Sequence, residues 1–219
     1  MGAPTNTFLS TAAVGNREDL TDVIYRISPT ATPVLNMAAK GKATNTLHEW
    51  QTQELASASS SNAQAEGDDA TAKTVTATTR LSNRTQISTK TVIVSGTQQA
   101  SNPAGRKDEL GYQLSLASLE LKRDIEASVL SNNPAVAPTT SVAGKSAGLG
   151  TQLYLNALHN GAGATTAWTS GAPTTAVTAG TNRTFTEALL KTACQNVYVN
   201  SGSVAPMVVM SPSHKALFS

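Results

Sequence analysis

One run governs what this chain can fold into: NPAGRKDELGYQLSLASLELKRDIEASVLSNN, residues 102–133. It reads as a single long helix. Asn102 suits the N-cap, where a side-chain oxygen accepts from the free N–H groups of the first turn. Pro103 follows at the first helical position, where its missing N–H costs nothing. Asp108 and Glu109 lie toward the positive end of the helix dipole. Leu110, Leu114, Ala117, Leu121 and Ile125 recur at helical spacing and make one apolar stripe. Tyr112, Leu116 and Leu119 make a second on another side. A front half that is apolar on two sides belongs between layers. Charge gathers in the back half, from Glu120 to Glu126. The run ends at Asn133, because the residue before Pro134 disfavours the helical region. At ~1.5 Å per residue the helix is roughly 45 Å long, more than most globular domains need.

Around this helix the chain divides unevenly. Residues 1–15 are small and polar without a period, and predict an extended arm. Asn16 can cap a short helix carrying Leu20, Val23, Ile24 and Ile27 on one face, stopped by Pro29. Thr32 predicts a second cap, with Pro33 at the first position and an end near Gly41. Residues 44–55 read as extended, with Leu47 and Trp50 as their large apolar groups. Residues 56–74 hold no large apolar residue, so a mobile loop is expected with Glu66-Gly67-Asp68-Asp69 at its tip. Residues 75–81 and 86–95 are rich in Thr, Val and Ile and predict strands, with Ser82-Asn83-Arg84 as the bend. Residues 44–95 thus form a long hairpin-like excursion. A single-domain enzyme rarely spends ~50 residues this way; a chain reaching over to a neighbour does.

Beyond the helix, residues 135–183 are Ala/Gly/Thr-rich and low in complexity, with an ordered-looking island at 149–158 and an isolated Trp168. Thr186 caps a further helix, onto which Phe185 can staple Leu190. Leu190, Cys194 and Val197 form its apolar face, which makes Cys194 a packed core thiol, and Gly202 ends it. Residues 204–210 predict a short buried strand. Ser211-Pro212 opens one more helix, left about two turns in at Ser219. The expectation is a chain truncated at its C-terminus.

Composition and motifs argue against catalysis. The chain has 219 residues, enough for one domain or two small ones. Charged residues are 14%, low for a soluble enzyme, and aromatics 4%, too few for a stacking-based nucleic-acid or sugar binder. A net charge of +2 names no acidic partner, and a single cysteine excludes an internal disulfide framework. No basic region precedes an apolar core at the N-terminus and no membrane span is evident, so a cytoplasmic protein without a membrane partner is expected. Gly144-Lys145-Ser146 imitates a phosphate-binding loop, but Thr139 stands where the first glycine belongs. His48, His159 and His214 lack partners at metal-ligand spacing. Glu66, Asp68 and Asp69 lack the alternating oxygens of an EF-hand. The triplets at Asn83 and Asn182 match the glycosylation pattern by chance in a Thr-rich chain. No triad, metal set or cofactor loop remains, and the reading is a structural protein without catalytic residues or cofactors.

Four pieces in this order carry a resemblance: NREDLTDVIYRISPTATPVLN, TLHEWQTQELA, RLSNRTQISTKTVIVSGTQ and AGRKDELGYQLSLASLELKRDIEASVLSN. Together with TFTEALLKTACQNVYVNSGSVAPMVVMSPSHKALFS they resemble the major capsid proteins of tailed bacteriophages, over about residues 16–133 and 184–219. The resemblance implies an α+β fold of the Hong Kong 97 type: an N-terminal arm (1–43), an extended E-loop (44–90), a P-domain with its spine helix (91–133) and an incomplete A-domain (134–219). It implies self-assembly into pentamers and hexamers of an icosahedral shell around phage DNA, built in the host cytoplasm, with portal, scaffold or decoration proteins as further partners. DNA contact would be non-specific. The family's chain normally continues past SPSHKALF, and no position matches a cross-linking Lys and Asn motif. A same-fold rival is an encapsulin-like compartment, and a rival of another class is a secreted adhesin or fibre module.

On this reading Leu47, Trp50 and Ile87 are the candidate E-loop anchors, because a few apolar groups carry most interface energy. Trp50 has an alternative place inside its own subunit. Arg80, Arg84 and Lys90 are the candidate partners of a neighbour's Glu66, Asp68 and Asp69; the alternative is a solvated strand face.

Overall fold

The computed structural model describes residues 24–25, 27–101, 105–154, 156–165 and 168–218. Its elements are α1 (Pro33–Met37), β1 (Leu47–Thr52), β2 (Thr79–Arg84), α2 (Gly96–Ala100), α3 (Glu109–Leu130), α4 (Leu149–Gln152), α5 (Glu187–Ser201) and α6 (Pro212–Phe218). The chain is thus mixed α+β, with one long helix and one two-stranded antiparallel hairpin among the described residues. It divides into two units. Among the described residues one contains Thr89–Arg123; the other contains Thr32–Ser88 and the chain from Asp124 on.

In the first unit the start of α3 is built by polar side chains. The Gly111 N–H donates to Asp108 Oδ1 at 3.1 Å, so Asp108 is the cap. Gln99 of α2 donates to the same oxygen at 2.8 Å and accepts from the Leu110 N–H at 3.1 Å. These bonds hold the Asp108 carboxyl below its usual range, Gly111 first and Gln99 second. The helix therefore begins at Glu109 and not near Asn102; Asn102 and Pro103 lie outside the described residues. Gly105 has φ of 77°, a left-handed backbone that no α-helix passes through. With 22 residues, α3 is about 33 Å long.

Burial on α3 also departs from the two predicted stripes. Leu110 and Leu114 are exposed, while Ala117 is buried and Tyr112, Leu116 and Leu119 are half-buried. Residues 90–95 lie along α3, with Val92 and Val94 turned in and Ile93 turned out. A groove of about 520 Å³ separates them from Leu116 and Ala117. This segment keeps the alternation of a strand but is not one, because no second strand pairs with it among the described residues.

In the second unit β1 and β2 pair in register from Leu47↔Arg84 to Thr52↔Thr79. The predicted bend at Ser82-Asn83-Arg84 is instead part of β2. Its polar side chains signal a turn locally, but here the Ser82 backbone and the Asn83 side chain are used by other segments. The buried Ser82 donates its N–H to the Gly171 carbonyl at 2.8 Å. Asn83 Oδ1 accepts from the Ala147 N–H at 3.0 Å. Gly171 approaches this edge as half of a tight turn, in which Ser170 and Gly171 have φ of 51° and 76° and Thr169 and Ala172 exchange backbone bonds at 3.0 Å.

The low-complexity stretch is where this unit packs. Ala135, Ala147, Thr151 and Pro173 are buried in it, with Thr151 only 1% exposed. Backbone and amide bonds hold it: Ala135 N–H to Pro173 O at 2.8 Å, Gly148 N–H to Asn133 O at 3.0 Å, and Asn132 reciprocally to Val177 at 2.7 and 3.0 Å. The buried apolar side chains among the described residues are small: Ala117, Ala135, Ala147 and Pro173.

Toward the C-terminus, α5 ends as expected at Gly202, whose φ of 68° and N–H bond to Tyr198 O close the last turn. Ser211 caps α6, accepting from the His214 N–H at 3.4 Å. Two expectations fail here. Cys194 is exposed, although Leu190 and Val197 on the same face of α5 are half-buried. Residues 204–210 form no strand, and Val204, Met207, Val208 and Val209 are exposed; a strand needs a partner, and none pairs with them among the described residues.

Candidate inter-subunit surface

The hairpin is the part of the second unit that leaves its own packing. Every residue from 51 to 80 is exposed. Past the last strand pair, only side chains tie the two arms. Gln53 Nε2 donates to Thr76 O at 2.9 Å, and Thr78 Oγ donates to Gln51 Oε1 at 2.8 Å. The tip turns at Glu66-Gly67, where Gly67 has φ of 83° and the Asp68 N–H donates to Ala65 O at 3.3 Å. Glu66, Asp68 and Asp69 are all exposed there.

Trp50 makes ring contacts within its own chain. Its ring meets Trp168 edge-on at 6.1 Å and lies 6.0 Å from His48. Trp168, isolated in sequence, thus finds its partner through the β2–Gly171 contact, a long-range pairing with no local signal. Beside the pair opens a cleft of about 1080 Å³, lined by Leu55, Val75, Leu81, Leu153, Tyr154 and Trp168 among others. Leu47 is half-buried at the start of β1. Ile87 stands out in solvent at 90% exposure, as do Leu55 at 98% and Val75 at 86%. An exposed aliphatic side chain gains nothing from water, and Leu55 and Val75 line the same cleft.

The candidate cations are engaged in their own chain. Arg80 lies 3.9 Å from Glu49, and Lys90 lies 3.7 Å from Glu120. Both pairs are solvent-exposed and contribute about 0–1 kcal/mol. Arg84 is half-buried opposite Leu47 in β2.

The geometry offers no assembled catalytic centre among the described residues. Gly144-Lys145-Ser146 does not open a helix; Lys145 exchanges backbone bonds with Val136 at 3.0 and 3.1 Å, so its N–H is not free for a phosphate. Ser211 Oγ lies 2.7 Å from His214 Nδ1, but this contact is the cap of α6, and the ring stacks edge-on against Phe185 at 5.8 Å. Among the described residues no group of His, Cys, Asp and Glu is placed to hold a metal ion, and no helix is long and apolar enough to cross a membrane.

The sequence profile of the SU10 major capsid proteins matches residues 3–219. The major capsid protein of Escherichia phage Phieco32 is 38% identical to this chain over 131 residues. Those residues are 60% of this chain and 37% of that relative, so the match spans little more than a third of the relative's length.

Proposed function

Because the chain belongs to the SU10 major capsid protein family, we propose that it is a subunit that associates with copies of itself to build the icosahedral shell of a tailed phage. The fold we assign is the Hong Kong 97 type, with arm at 1–43, E-loop at 44–90, P-domain at 91–133 and A-domain from 134. The observation that carries this reading is the uncovered excursion: thirty successive residues, 51–80, without a buried member. Such a segment loses its conformational freedom profitably only where it lies on another surface. Ile87 is the foremost anchor, with Leu47 and Trp50 beside it, and the acidic tip at Glu66, Asp68 and Asp69 meets Arg80, Arg84 and Lys90 of a neighbour. The shell encloses DNA through sequence-independent contacts, and portal, scaffold and decoration proteins are its further partners.

Electron microscopy of the protein expressed from its own gene tests the reading. Closed shells or capsomers are expected; a monodisperse monomer at all concentrations refutes it. Trp50→Ala subunits are expected to fold yet form unstable shells. Normal shells from that variant would leave the Trp50–Trp168 contact as the whole role of Trp50.

A further inference from the structure

Thr32 stands at the N-cap of α1, but its side chain makes no capping bond. The cap comes from the far end of α3. The N–H groups of Val34 and Leu35 donate to Glu126 Oε1 and Oε2 at 2.9 and 2.7 Å, across 92 and 91 residues of sequence. Pro33 has no N–H, and the Asn36 N–H already donates to Thr32 O at 3.1 Å. One carboxylate therefore takes both remaining donors of the turn, each by a charge-assisted bond. Glu126 is buried, a position a carboxylate holds only when its oxygens are bonded.

The surroundings of this contact are what give it a role. From residue 32 to residue 46, only Thr32, Val34 and Leu35 are withdrawn from solvent, and these are the residues at the Glu126 carboxylate. A five-residue helix is far too short to persist by itself. So α1 exists where it does because α3 holds it, at one point.

We infer that Glu126 is a latch that holds residues 32–37, the end of the proposed N-terminal arm, against α3, and so presents this segment in one place to a neighbouring copy during assembly. The inference rests on the capsid reading above. With the carboxylate in place, α1 is tied to the longest helix among the described residues and its place is preset. Without it the segment around α1 samples many directions, and each subunit must order it anew on every encounter. The latch is thus a positioning residue for assembly and leaves the rest of the fold untouched.

Glu126→Gln, nearly isosteric, tests this; its amide nitrogen turns a donor toward a donor. Two readouts are taken on wild type and variant: hydrogen–deuterium exchange of the soluble subunit, and shell yield by electron microscopy. Exchange over residues 33–37 is expected to rise by about tenfold or more, with α5 unchanged, and closed shells are expected to give way to irregular or open ones. Unchanged exchange at 33–37 overturns the latch. Faster exchange with normal shells overturns its role in assembly. Loss of protection throughout the chain also overturns it, by making Glu126 a residue of the fold itself. If the wild type forms no shells, the capsid reading fails and takes the assembly role with it, whereas normal wild-type shells beside an unaffected variant remove the latch alone.

Discussion

The chain between the hairpin's strands and the stretch after α3 are both irregular, yet they differ in burial. The hydrogen-bonded ladder covers residues 47–52 and 79–84, and the chain between them, 53–78, is exposed throughout. Residues 131–178 have one short helix and an Ala/Gly/Thr composition, yet they hold the buried Ala135, Ala147, Thr151 and Pro173. Irregular chain has no ladder, so its N–H and C=O groups must be met by tertiary contacts or by water. In 131–178 tertiary contacts meet many of them and the stretch packs; in 53–78 few such contacts form and the segment stands in solvent.

Glycines at the same kind of backbone angle separate the two regions most sharply. Gly171 has φ of 76°, and a Cβ there would run into the Arg80 carbonyl; Gly67 has φ of 83°, with open space around it. Gly171→Ala is expected to destabilise by about 3 kcal/mol or more, from strain plus overlap. Gly67→Ala should show the strain alone, about 1 kcal/mol. Urea denaturation of both variants measures the difference, and equal losses would break the contrast.

Limited proteolysis sets the two regions against each other within one chain. Trypsin is expected to cut after Lys73, in exposed chain outside any strand, well before Lys145, whose N–H and carbonyl are both bonded to Val136. Early cleavage at Lys145 would mean that the irregular stretch opens as readily as the hairpin. A smaller effect comes from Asn132→Ala, which removes the two-point clamp on Val177 and the bond from Thr151 Oγ at 3.3 Å. A loss of about 1–2 kcal/mol is expected. Gln53→Ala in the hairpin should cost less than about 0.5 kcal/mol, because its bond to Thr76 is fully exposed.

The smallest effect is a pH dependence outside both regions. The carboxyl of Asp108 is lowered in the folded chain by the Gly111 N–H and the Gln99 amide. A lowered folded-state value means the cap's contribution is fully present above the ordinary carboxylate range and is lost as pH falls through the depressed one. Asp108→Asn, an equally good cap, should keep stability near neutral pH and flatten its decline in acid. A thermal-unfolding series from pH 6 downward, with both proteins declining alike, would remove Asp108 from that account.

Signals confined to one turn of chain were legible. Pro33 at the first position of α1, Gly202 after α5 and Ser211 before α6 each act through neighbours within four residues, and each stands where its residue type predicted. The pairing of Trp50 with Trp168, far apart in sequence, had no local signal. The errors share a cause. Ser82-Asn83-Arg84 carries turn chemistry, yet Gly171 and Ala147 use those groups inside β2. Residues 204–210 carry strand chemistry without a strand beside them among the described residues, and Cys194 is exposed on an apolar helix face whose Leu190 and Val197 are half-buried.

The long helix shows the same division. Its existence, its direction along 109–130 and its charged back half follow from residue spacing, since helical periodicity is written into the order of side chains. Where it starts was decided by Gln99 and Asp108 meeting at its first turn, and which side is covered was decided by residues 90–95 lying along it. That Glu126 caps a helix more than ninety residues earlier was decided by tertiary structure alone. The reason is physical: a propensity acts over a few residues, whereas a buried polar group takes whichever partner the fold brings within hydrogen-bond reach.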